Sequence, residues 1–363
     1  MTVRALKAVL TMVLLVWLPV DLRAESSRSQ PVFKTWSADC TNSGLCFTSS
    51  FIRAQNLWLD LRLVNNWEVS ASPLIRLTTN SALREDGVIR LSIDGTIVEE
   101  LPVAQLREIQ ASVAAPVGFR PIGGEGFWYP TGPATRTLID MMNSGRELTV
   151  ELPVDPDPVT VPVALDGFRE SLRWIDRRQE RMGSTAALVE PGSDTAVDAP
   201  HAMPILDTAG LPPAVAERWD NGRFCSDIDP AIFAGLDAVS APLPDNAALF
   251  ILPCGAPGAY NTPYVVMLVH ADGKVRQLSF ARMTELGPVA IDLVYNARWN
   301  PKTRQLDSLL KGSGVGECGI WNRWQWNGTA FALIEEAARS TCDGQAVELE
   351  KWPTTWPVSS ASE

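Results

Sequence analysis

The side chains in this sequence best suited to chemistry are aromatic rings and amides that recognise a ligand, not the proton-moving groups that transform one. Trp321, Trp324 and Trp326 fall within one six-residue stretch. On a strand, Trp324 and Trp326 share a face while Arg323 and Gln325 occupy the other. Such a platform stacks on sugar rings or clamps an apolar partner segment; the plainer use of tryptophan in a β-protein is to fill a core or a corner. The loop Gly258-Ala259-Tyr260-Asn261 is the second candidate. It follows the apolar run 249–252 and Cys254, so a rigid scaffold presents a loop, which is where binding residues concentrate. Tyr260 and Asn261 bring a ring face, a hydroxyl and an amide for a polar ligand. The plainer reading packs Tyr260 at a corner and lets Asn261 cap a turn.

Groups able to catalyse are scarce. The only histidines are His201, in a stretch of linker composition, and His270, beside a turn. Neither a G-x-S-x-G elbow nor an H-E-x-x-H zinc motif occurs. A carboxylate pair brought together by folding would support an envelope hydrolase without His or metal, although nothing in the sequence locates such a pair. Gly314-Val315-Gly316-Glu317-Cys318-Gly319 spells G-x-G-x-x-G. The dinucleotide fingerprint works only where a strand turns into a helix whose N-terminus receives pyrophosphate; here the stretch precedes a Trp-rich strand and contains a cysteine, so it reads as a connector. No catalytic residue, cofactor or metal site is assigned.

The six cysteines fall as three local pairs, Cys40 with Cys46, Cys225 with Cys254 and Cys318 with Cys342. Six cysteines allow about 15 connectivities; an even count and sequence proximity favour these neighbour pairings over free thiols. Zinc ligation wants closer spacing and nearby histidine, which the chain does not offer.

The elements that carry these residues start after an apparent leader. Arg4 and Lys7 precede the apolar run 8–20, and Leu22-Arg23-Ala24 offers a cleavage site after Ala24. Residues 1–24 therefore read as a signal peptide, which places the protein in the periplasm with no membrane insertion after cleavage. The formal net charge is −11, and loss of Arg4, Lys7, Arg23 and Asp21 with the leader makes it −13. Phosphate backbones and anionic lipids repel so acidic a chain, which argues against nucleic acid and membrane partners. An envelope glycan, peptide or protein remains as the partner class.

The expected fold is mainly β: two antiparallel sandwich-like or barrel-like domains with one or two accessory helices. Leu57, Leu59, Leu61 and Leu63 alternate with Trp58, Asp60, Arg62 and Val64, which predicts a strand with one buried and one wetted face. Asp94-Gly95 predicts a tight hairpin. Helices are predicted over 133–143 and over 166–182, the second capped by Asp166 and stopped by Gly183; its arginines read as a solvated face laced with ion pairs. The N-terminal β-rich domain spans 25–189, a linker 190–213, a C-terminal β-meander domain 214–356, and a disordered tail 357–363. Hairpin turns are predicted at Asp272-Gly273, at Asn300-Pro301-Lys302-Thr303 and at Asn327-Gly328.

Taken together, several patterns resemble a known family. They are Phe33-x-x-Trp36-x-x-x-Cys40 with Cys46; Gly167-Phe168 through Asp176, Gln179, Arg181, Gly183 and Ala187-Leu188; Pro253-Cys254-Gly255 with the 258–261 loop; and Gly316-Glu317-Cys318-Gly319 with Trp324-Gln325-Trp326-Asn327-Gly328, Phe331 and Cys342. In order and spacing these resemble the bacterial family of domain of unknown function 1176 over nearly the whole chain. The resemblance implies a periplasmic protein of Gram-negative bacteria and brings no catalytic residues with it. Glu317 and Asn327 stand where the family pattern leads to an expectation of Asp. The opening Phe-Trp-Cys pattern is also similar to the invasion-associated locus B proteins, small periplasmic β-proteins, over the first domain only.

Overall fold

The computed structural model describes residues 28, 31–198, 202–220, 225, 227–314, 316–345 and 347–357. The expected leader, His201 and nearly all of the expected tail lie outside the described residues.

The leucine alternation builds the first body. Leu57–Asn65 is a strand whose Leu57, Leu59, Leu61 and Leu63 are all buried. It belongs to a six-stranded antiparallel sheet ordered Val32–Phe33, Trp36–Cys40, Cys46–Ala54, Leu57–Asn65, Leu74–Thr79 and Glu125–Trp128. Asp94 and Gly95 both take positive φ and turn Val88–Ile93 into Thr96–Pro102, the backbone geometry that the Asp-Gly pair suits. With Glu147–Leu152 and Val159–Ala164 these strands form a four-stranded sheet. The leucines share one core with Ile89, Leu91, Val150 and Val161 of that second sheet, and Phe168, Leu172 and Ile175 close it.

The expected wetted face of the leucine strand is not wetted. Asp60 on that face is 3 % exposed, because the helix Val103–Ser112 and the loop after it pack Ile109, Val113 and Phe119 over Leu45, Val64 and Trp128. The helix over 133–143 is Pro133–Ser144. The helix expected over 166–182 is shorter, Phe168–Arg178, and Asp166 does not cap it. Gly167 occupies the cap position at φ 93, pressed against the Phe33 carbonyl so closely that a Cβ would stand 2.0 Å from its oxygen. On the outer face Arg169 and Arg173 bond Glu190, which lies beyond the helix and not one turn along it, and Asp176 and Arg181 of the expected solvated face are buried.

The second body begins within the stretch read as a linker. Met203–Pro204 pairs with Val239–Pro242, and Ile205 and Leu211 enter a core under the helix Pro213–Asp220. The sheet continues through Ala248–Pro253, Pro263–Val269 and Val275–Gln277, with Val294–Tyr295 paired to Pro263 and Tyr264. A hairpin, Phe280–Thr284 with Gly287–Ile291, leads to a five-stranded sheet ordered Arg298–Asn300, Gln305–Lys311, Gly319–Trp326, Phe331–Arg339 and Thr354–Trp356. The fold is mostly β and antiparallel, as expected, but no sheet among the described residues closes into a barrel. Val294–Tyr295 and Arg298–Asn300 join different sheets across Asn296 at φ 48. The three local cysteine pairs are bridged, with Cα separations of 4.0 Å for Cys40–Cys46, 3.8 Å for Cys225–Cys254 and 5.2 Å for Cys318–Cys342.

Candidate functional site

The tryptophan platform is a piece of core. Gly319–Trp326 runs through the interior of its sheet, and the preceding hairpin covers the face that Trp324 and Trp326 share. Trp324 is fully buried, donates Nε1–H to the Ala281 carbonyl at 2.8 Å and packs on Phe280 at 4.9 Å. Trp326 is also buried, 5.2 Å from the Phe331 ring. Neither ring can stack on a ligand, so the expected aromatic surface is corrected. Trp321 is buried on the opposite face, between the guanidinium groups of Arg28 and Arg323.

The loop candidate divides. Asn261 is a brace: Nδ2 donates to the Lys311 carbonyl at 2.8 Å, while Oδ1 accepts from the Lys311 amide and from Asn296 Nδ2 at 3.0 Å each. Its amide is spent on structure. Tyr260 is 39 % exposed. His270 lies exposed in its turn, accepting from Gly273 N–H through its carbonyl at 2.8 Å. One S-x-x-K does occur, Ser308-Leu309-Leu310-Lys311, but it lies on a strand. There residues three apart face opposite ways, and Ser308 Oγ is occupied by the backbone of Tyr295 at 2.9 Å in both directions.

The structure assembles a site that no motif announced, between the two bodies. The Cys40–Cys46 bridge closes the loop Thr41–Leu45, and Gln179 steadies it by donating to the Gly44 carbonyl at 2.9 Å. The loop tip enters the second body. Asn42 donates Nδ2–H to the Ala297 carbonyl at 3.2 Å and accepts the Trp299 amide at 2.8 Å. Its own amide, with that of Ser43, donates to the Asp237 carboxylate. A second link runs from Gly118, at φ 79, whose amide donates to the Ala234 carbonyl at 2.9 Å. Arg120, two residues on, donates to Thr262 Oγ1 and the Gly258 carbonyl at 3.2 Å each.

These links leave a cavity of about 170 Å³ between the bodies. Phe47, Phe119 and Leu236 give it apolar walls; Arg62, Arg120 and Arg298 give it positive charge and Asp237 negative; Thr41, Thr262 and Asn296 give it neutral polar groups. Arg298 pairs with Asp39 at 3.0 Å and Asp237 at 3.6 Å. Burial works against the charge on Arg298, yet the two acids hold its pKa above the ordinary value. Burial pushes the Asp237 carboxyl up to about 6, against the pull of Arg298 and the two amides, and Asp39 adds to the rise. Asp60, behind Arg62, is likewise raised by burial and drawn back by Arg62 and Arg76. Among the described residues no three His, Cys, Asp or Glu side chains gather as metal ligands do.

The charged and amide residues that carry the family resemblance make structural bonds away from this cavity. Asp176 accepts the amides of Leu188 and Val189, and Arg181 donates to the Asn66 and Trp67 carbonyls. Glu317 accepts the Gly344 amide, and Asn327 those of Thr329 and Ala330. None of these lines the cavity.

Comparison with known proteins finds two similarities and a family. The chain is 26 % identical over 355 residues to the uncharacterized protein YpfG of Escherichia coli (strain K12), covering 90 % of this chain and 92 % of that one. The crystal structure of invasion associated protein b from Bartonella henselae overlays 41 % of this chain and 97 % of its own, at a TM-score of 0.30 and 14 % identity. Residues 30–359 match the family described as "Protein of unknown function (DUF1176)", and the chain belongs to it.

Proposed function

We propose that this is an exported, non-enzymatic binding protein of the bacterial cell envelope, and that it holds a small polar ligand in the cleft between its two bodies. One observation carries this: the cavity is walled by both bodies, and Arg120 meets it with no carboxylate in salt-bridge reach among the described residues. Three bridged cysteine pairs suit an oxidising compartment. Among the described residues no helix is long and apolar enough to cross a membrane.

A hydrolase working with a carboxylate pair is the second reading, favoured by Asp39 and Asp237 meeting at Arg298 with the Asp237 pKa raised to about 6. Against it, Arg298 and two backbone amides already engage these carboxylates, whereas a general acid must reach the proton it transfers. A thermal-shift panel of sugars, sugar acids and short peptides, run beside hydrolysis assays, separates the two. The binding reading expects one class to raise the melting temperature with no turnover. Turnover that Asp237→Asn abolishes in a folded protein would replace it with the hydrolase.

A further inference from the structure

The sheet face beside the cleft carries positive charge that its neighbours do not balance. Arg62 and Arg76 stand directly opposite each other on adjacent strands, and like charges so placed cost stability. Asp60 supplies one compensating charge, bonded to Arg62 Nε at 2.6 Å. Arg76 has no carboxylate in salt-bridge reach among the described residues; it bonds the neutral Gln110 amide at 2.9 Å and lies 5.0 Å from the Trp128 ring. Arg120 bonds only neutral oxygens. Four guanidinium groups, Arg62, Arg76, Arg120 and Arg298, thus meet three carboxylates, Asp39, Asp60 and Asp237. This local excess sits in a chain of formal net charge −11.

The excess coincides with open donors. The two terminal nitrogens of Arg62 make no hydrogen bond to the described residues, and Arg62 lines the cavity with its guanidinium 5.5 Å from the Phe47 ring. A guanidinium with open terminal donors in a cavity wall suits a planar or tetrahedral oxyanion, which it binds through paired charge-assisted hydrogen bonds. The other walls suit a hydroxylated body: Thr262 Oγ1 accepts from Arg120 and keeps its own O–H to donate, and Phe47 and Phe119 offer a C–H face, while the Asn296 amide and the Thr41 hydroxyl are already bonded within the protein. At about 170 Å³ the space is smaller than the roughly 300–1,000 Å³ of sites for drug-sized ligands, which limits the body to monosaccharide size.

We propose that the cleft binds a monosaccharide-sized hydroxylated molecule through a single oxyanion group, a carboxylate or a phosphate, held by Arg62 and Arg120. The assignment rests on the cleft being the ligand site proposed above. Calorimetric titration of the full, disulfide-bonded chain with D-glucuronate, D-glucose 6-phosphate and D-glucose tests it. At least one of the two anions should bind about tenfold or more tightly than glucose, and which one does so distinguishes carboxylate from phosphate. Arg120→Ala should weaken that binding about tenfold or more in a protein that still unfolds cooperatively, since Arg120 is exposed and its two bonds across the cleft end on neutral oxygens. Arg62→Lys, which keeps a charge beside Asp60 but loses the fork, should weaken it as well.

If neither anion binds better than glucose, the oxyanion assignment is overturned. If glucose itself binds, and Phe47→Trp, which narrows the cavity from its wall, abolishes that binding, the cleft stands as the site and only the ligand class falls. Anion binding that survives both Arg120→Ala and Phe47→Trp places the site elsewhere and overturns the cleft reading too.

Discussion

The Asp237 carboxylate accepts the backbone amide of Asn42 at 2.7 Å across 195 residues of chain, and this bond ties the first disulfide loop to the second body. Asp237 lies in the left-handed region at φ 57, and its carboxylate also accepts the Ser43 amide of the same loop. Asn42 completes the joint through its amide, bonded to Ala297 and Trp299. The cleft therefore keeps its shape through a few buried polar contacts.

Asn42→Ala removes both side-chain bonds and leaves the Trp299 amide and the Ala297 carbonyl unpaired at a buried joint. The expected loss is about 2–4 kcal/mol of unfolding free energy in urea, from two desolvated groups. A loss below about 0.5 kcal/mol, the scale of an ordinary surface change, would show that the joint does not hold the bodies together.

Asp237 makes stability depend on pH with a definite sign. The folded protein keeps its proton up to about pH 6, whereas the ordinary value is 3.8, so its contribution is full below pH 3.8 and is lost as pH rises through 6. Relative to Asp237→Asn, the wild type should lose up to about 3 kcal/mol across that window. A constant difference between the two proteins over the same range would contradict the buried placement of this carboxyl.

The residues singled out in the sequence separate by burial and bonding. Trp324→Ala should cost about 3–5 kcal/mol, the range for deleting a packed indole, because the ring is fully buried and its N–H is bonded. Asn261→Ala should cost about 2–3 kcal/mol by unpairing both backbone groups of Lys311. Tyr260→Ala, at an exposed ring, should cost less than about 1 kcal/mol. Equal losses at Trp324 and Tyr260 in chemical denaturation would refute the packing described here.

The fold was legible where a local signal coincided with its structural cause. Alternating leucines gave a strand because one face is core, Asp94-Gly95 gave a hairpin because both residues take positive φ, and neighbouring cysteines gave the bridges. The cleft was not legible, because Arg62, Arg120, Asp237 and Arg298 come from distant parts of the chain and only tertiary folding makes them neighbours. One faint signal existed: Asp60 and Arg62 are charged residues two apart on a strand whose other face is leucine, a pairing that needs a partner if that face is covered. The tryptophans misled because density of aromatic residues is the same for a platform and for a core; only the hairpin over Trp324 decides between them.

The first bridge should matter to the cleft more than to global stability. In the chain-entropy model, closing the short Cys40–Cys46 loop contributes about 2 kcal/mol, against about 3.5 for the longer Cys225–Cys254 loop. Cys40→Ala with Cys46→Ala should therefore lower stability less than loss of the second bridge, yet weaken oxyanion binding by loosening the loop that carries Thr41 and Asn42. Unchanged binding in that variant would mean that the loop holds its shape without the bridge.

The most direct test is a crystal structure of the full chain grown with saturating D-glucuronate or D-glucose 6-phosphate. The cleft reading predicts ligand density between the bodies, with the oxyanion about 2.7–3.2 Å from nitrogens of Arg62 and Arg120. Ligand density on another surface beside an empty cleft would contradict it.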